Sequence, residues 1–100
     1  MTEPTHRAKA HVATERASKY LQQLCKHFEH RTPATFDAAA GAISFPFGEA
    51  KLAADAQTLT LVAEAGSAED LERLEDVIAR HLVRFAFREE LAIDWRVAEG

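Results

Sequence analysis

The sequence predicts an α+β fold, a two-layer sandwich with two helices packed on one face of a mainly antiparallel sheet, in the order β-α-β-β-β-α-β. Apolar residues recur at helical spacing in two separate stretches, Ala17 to Phe28 and Leu71 to Phe85. They alternate with polar residues, a period of two, before, between and after those stretches. Proline and glycine fall at or near the junctions, as at Pro33 and Gly66, where a change of element is expected.

In order, Ala8, Ala10 and Val12 alternate with Lys9 and His11 and predict a half-buried first strand. Thr14 offers an N-cap side chain, and Ala17, Leu21, Leu24 and Phe28 line one face of a helix expected over 15–30. Thr32-Pro33 ends it, because the residue before proline is pushed out of the helical region. Ile43, Phe45 and Phe47 then share one face of a strand, and Leu59, Leu61 and Ala63 share a face of another. The segment from Phe36 to Gly41 pairs with or turns into the Ile43 strand, so one more short strand fits there. Gly48 and Asp55-Ala56-Gln57 are the expected turns. Pro46 lacks a donor and so predicts an edge or a bulge in the Ile43 to Phe47 strand. Ser67, with Asp70 three positions on, opens the second helix, expected to run to Arg88 with Leu71, Leu74, Ile78, Leu82 and Phe85 buried. Its acids lie early and Arg80, Arg84 and Arg88 late, an order that complements the helix dipole. Leu91, Ile93, Trp95 and Val97 alternate with Ala92, Asp94 and Arg96 and predict the closing strand.

A chain of 100 residues is expected to form a single domain over 1–100, with its core at about 6–98. Apolar residues make up 47%, but 20 of them are Ala, which leaves 27 larger side chains for the interior. So thin a core would gain from a homodimer interface. The net charge of -4 is uneven: residues 1–31 hold six basic and three acidic side chains and four His, and the remainder six basic and thirteen acidic. That balance argues against nucleic acid as a partner, because phosphate backbones demand many clustered Lys and Arg. The single cysteine forms no internal disulfide, and the polar start from Met1 to Arg7 lacks the apolar stretch of a signal peptide, so the expected location is cytoplasmic. No apolar run approaches the roughly 18 residues of a membrane span.

Candidate chemistry gathers on the first helix. Cys25 and His27 point about 200° apart and cannot hold one ion together, whereas His27 and His30, about 60° apart, can share a metal. A third ligand would have to come from His6, His11, His81 or an acid. Cys25 flanks the apolar stripe near the C-terminal end, where the dipole disfavours a thiolate. His81 falls between Leu74 and Val77 on the apolar side of the second helix, as a satisfied core residue or as the lining of a pocket. Beside it Arg80, Arg84 and Arg88 form either a solvated stripe paired with Asp76 or a grip on an anion. The scattered glycines exclude a phosphate loop, and no nucleophile elbow, Cys-x-x-Cys or His-Glu-x-x-His is present. Glu69-Asp70 and Glu89-Glu90 are explained by capping and solvation, so no catalytic residue and no cofactor is assigned.

Three segments carry a resemblance: Tyr20-Leu21-Gln22-Gln23-Leu24-Cys25-Lys26-His27-Phe28, Ile43-Ser44-Phe45-Pro46-Phe47-Gly48, and the run from Ala79 through His81 and Arg88 to Leu91. By these the chain resembles, from about Ala8 to Val97, the small bacterial family called domain of unknown function 2218. The resemblance implies no catalytic residues. It implies a link to iron metabolism, because similar domains occur with siderophore-interacting flavin reductases. The expected function is a soluble accessory or binding module connected to metal or iron-siderophore handling. A small enzyme or redox protein using Cys25 with a histidine, and a structural dimerisation domain, stand as alternatives.

Overall fold

The alternation of Ala8, Ala10 and Val12 becomes β1 (His6–Ala13), with these three side chains buried and Lys9 and His11 turned to the opposite face. A computed structural model describes residues 6–97, so the polar start before His6 and the outer limit of the expected core at 98 lie outside the described residues. From β1 the chain enters α1 (Ala17–Glu29) and then four strands, β2 (Ala34–Phe36), β3 (Ala40–Phe45), β4 (Gly48–Ala54) and β5 (Thr58–Ala65). It closes with α2 (Ala68–Phe85) and β6 (Arg96–Val97). The strands form one sheet in the order β2-β3-β4-β5-β1-β6, every pairing antiparallel.

Register shows why both helices lie on one face. Opposite residues share a face, so the rows Ala8, Ala63, Ala50, Ile43 and Ala10, Leu61, Leu52, Gly41 point the same way. Their larger members are buried, and so are Leu21, Leu24 and Phe28 of α1 and Leu71, Leu74, Ile78 and Leu82 of α2 above them. The fold is therefore the expected α+β sandwich, with the extra short strand β2 between the helices. The other face is polar: Arg7 pairs with Glu64 at 2.6 Å, and Lys51 reaches Glu64 at 3.6 Å.

Several details depart from the sequence pattern. The helices are shorter than their apolar stripes suggest, α1 ending at Glu29 and α2 at Phe85, which leaves Arg88 beyond the helix. Thr14 does not cap α1. Arg16 occupies the N-cap without a side-chain bond, and the Thr14 hydroxyl instead accepts from the Arg16 N–H and donates to Glu89. Pro46 marks neither an edge nor a bulge: β3 stops at Phe45, which pairs with Gly48, and Pro46-Phe47 form the two-residue turn between them. Proline suits a turn because its φ is already fixed. Gly48 instead sits where an added Cβ would come within 2.6 Å of the Glu64 carbonyl oxygen. The closing strand is only Arg96–Val97; Leu91, Ile93 and Trp95 pack against the core without ladder pairing.

Candidate functional site

The two helices meet along a seam in which histidine and phenylalanine interleave. His27 follows the buried stripe of α1, one position before the buried Phe28, and His81 precedes the buried Leu82 of α2. Each is thus carried to the margin of its helix's apolar face. Their ring centroids lie 4.9 Å apart at 45°. Phe28 meets both rings edge-on at 4.9 Å, Phe85 stands 5.6 Å from His27, and Phe45 stands 5.0 Å from Phe28.

The hydrogen bonds assign the nitrogens. His81 Nδ1 lies 2.7 Å from the Val77 carbonyl oxygen, which can only accept, so Nδ1 carries the proton and Nε2 is left uncommitted. Among the described residues the other histidine bond joins His11 to Thr60, and neither nitrogen of His27 is engaged. Burial, then the repulsion of His81, Arg31, His30 and Arg84, lowers the pKa of His27 below the ordinary histidine value. Near neutral pH it therefore keeps a lone pair. Two imidazoles on one tetrahedral ion, at metal–nitrogen distances of about 2.0–2.1 Å, have ring centres about 5 Å apart. The observed spacing matches. Among the described residues no group of three or more His, Cys, Asp or Glu could hold a metal ion, so an ion at the seam would have His27 and His81 alone as protein ligands.

The remaining residues singled out from the sequence are spread around this seam. His30 stands exposed at the C-cap of α1, and it is His81 whose ring faces His27. Cys25 is fully buried on the sheet side of α1, beneath β3 at Gly41, and burial, then Glu29, pushes its thiol up to about 11. Arg80 pairs with Asp76 at 3.5 Å, Arg84 is exposed, and Arg88 lies 5.4 Å from the Phe87 ring centre.

A second constellation was not visible in the sequence. The Glu89 carboxylate accepts from the Thr14 hydroxyl at 3.1 Å, from Arg16 Nη1 at 3.1 Å and from the Tyr20 hydroxyl. The Tyr20 bond, then those from Arg16 and Thr14, hold Glu89 below the usual carboxylate range, against the opposing effect of partial desolvation. Glu89 thereby ties the turn after α2 to the start of α1 and borders a surface cleft of about 700 Å³. The one available signal was Tyr20, whose place on the buried side of α1 obliges its hydroxyl to find a partner.

Among the described residues no helix is long and apolar enough to cross a membrane. The chain is similar over 95% of its length, and 99% of the other's, to the NMR structure of PA4090 from Pseudomonas aeruginosa, with a TM-score of 0.80 and 32% identity. No curated protein matches it. Residues 9–96 match the family described as an uncharacterized protein conserved in bacteria, DUF2218, in accord with the resemblance read from the three segments above. With that coverage, and the same fold in a protein nearly a third identical along almost its whole length, the chain belongs to the DUF2218 family.

Proposed function

We propose that the protein is a non-enzymatic module that binds a divalent transition-metal ion between α1 and α2 through His27 and His81. The observation that carries this reading is the 4.9 Å approach of two imidazoles from different helices, one oriented by the Val77 carbonyl. Neutral imidazole suits Zn, Cu, Ni and Fe ions, and a backbone partner for the second nitrogen is the usual means of fixing a ligand ring. Phe28 and Phe85 lie against the histidine rings and help hold them in place, while His27 itself stays exposed to solvent. The buried, protonated Cys25 favours binding over thiol chemistry, because the thiolate is the reactive form. The link to iron-siderophore handling implied by the family resemblance is a narrower reading, in which the iron is ferric and arrives already held by its chelate. An ion with two protein ligands has room for the donors of a chelate.

The test is calorimetric titration of the full chain at pH 7.5 with Zn, Ni, Cu and Fe(II) salts. One ion should bind per chain, and His27→Ala or His81→Ala should weaken it by about 10-fold or more, while His30→Ala leaves it unchanged. Affinity should fall on acidification, because protons compete for both rings. Equal binding by the wild type and the two variants, or no binding of any of the four ions, removes the proposal.

A further inference from the structure

A cleft of about 330 Å³ is lined by Arg16, Lys19, Tyr20, Phe85, Phe87 and Arg88. Its lining is three cations and three aromatic rings, brought together from the first half of α1 and the end of α2 with the turn beyond it. Phe87 is 77% exposed, an unusual place for so large an apolar ring, with the Arg88 guanidinium 5.4 Å from its centre. Neither Lys19 nor Arg88 is ion-paired among the described residues, whose arginine and lysine pairs involve Arg7, Arg16, Lys51, Arg80 and Arg96. Two uncommitted positive charges therefore border an aromatic-walled space within the size range of small-ligand sites.

We propose that this cleft binds a small, flat aromatic anion, its ring against Phe85 and Phe87 and its charged group between Lys19 and Arg88. Glu89 sets the charge that the cleft accepts. By taking hydrogen bonds from Arg16 and Tyr20 it fixes two of the lining side chains and neutralises Arg16. What remains is the charge of Lys19 and Arg88, two cations that attract an anionic group. Aromatic faces favour a ring over a bulky aliphatic group, because flat stacking gains contact at little conformational cost. The site shares Phe85 with the surroundings of the His27–His81 pair but uses neither histidine and requires no metal.

The experiment is an NMR titration of chelator-treated, metal-free full chain with 2-naphthoate, followed through the backbone amides. The expected result is saturable binding, with shift changes concentrated at Lys19, Tyr20, Phe87 and Arg88. The double variant Lys19→Gln/Arg88→Gln should weaken binding by roughly tenfold, and Phe87→Ala by roughly fivefold. All three side chains are exposed, so the melting temperature should not change and the loss is read as lost binding. Equal affinity for the neutral 2-naphthamide, shifts scattered over the surface, or no saturation each overturns the proposal. Because the protein is metal-free, a failure of the two-histidine reading leaves this result unaffected.

Discussion

Cys25 shows how far a single residue's position can be read from spacing. Helical geometry puts it beside the apolar stripe of α1, yet it is fully buried, because β3 crosses beneath it at a glycine. A Cβ at Gly41 would stand 2.8 Å from Cys25 Sγ, closer than such atoms approach, and tightly against the Phe36 Cβ at 3.2 Å and a Leu21 methyl at 3.3 Å. The absence of a side chain there lets strand and helix approach. Gly41→Ala should therefore destabilise the protein by about 1–3 kcal/mol, measured as a lower urea midpoint, and an unchanged midpoint would refute the close-packing account. The pattern of α1 alone carries no information about Gly41, because the contact joins residues 16 positions apart in the chain. His27 and His81 illustrate the same limit, since each is legible as a histidine at the edge of an apolar face and neither reveals the other as its neighbour.

Among the elements, the helices show where local chemistry is sufficient. Ser67 accepts from the Asp70 N–H at 3.2 Å, the N-cap expected from Ser67 and Asp70 at their spacing. Ser67→Ala should cost about 1 kcal/mol, read from the thermal midpoint by circular dichroism, and a restored midpoint in Ser67→Asp would show that the cap is the cause. Thr14 before α1 has equally good capping chemistry and is used differently. Its hydroxyl accepts locally from the Arg16 N–H, ahead of the helix, and donates to Glu89, a residue 75 positions away. The strands divide similarly. β1 and β5 are long and alternate cleanly, whereas the equally clean alternation of Leu91, Ile93 and Trp95 yields ladder pairing only at Arg96–Val97. Alternation reports one-sided burial, and a segment laid over a core satisfies it without hydrogen-bonding to a neighbour.

For the whole molecule, the titrating groups predict acid sensitivity in two stages. His27 binds its proton more weakly in the folded chain than at its ordinary value of 6.5. As pH falls below about 6.5, the unfolded chain therefore takes up more protons than the folded one, and stability declines until the folded His27 is also protonated. Glu89 and Asp37 are held below their ordinary values of 4.5 and 3.8, Glu89 by its three donors and Asp37 by the Ala39 and Ala40 N–H groups. Their contribution, present above those values, is lost as pH falls through the lowered folded ones. Glu75 opposes this in part, since burial and Glu72 raise its pKa. Urea midpoints should fall between pH 7.5 and 5.5 in the wild type and stay flatter over that interval in His27→Gln. A parallel decline in both proteins would assign the first stage to another group.

The sequence by itself determined what depends on neighbours within a few positions: the two helices and their buried faces, the Ser67 cap, the strand alternation, and so the α+β class. The family was legible too, because its marks are contiguous segments. Tertiary structure decided what depends on residues far apart in the chain. It set the strand order with β1 between β5 and β6, brought the His27 and His81 rings together, and placed Glu89 with Thr14, Arg16 and Tyr20. The physical reason is that periodicity specifies which face of an element is buried, whereas the partner across that face is chosen by the packing of the whole sheet and both helices.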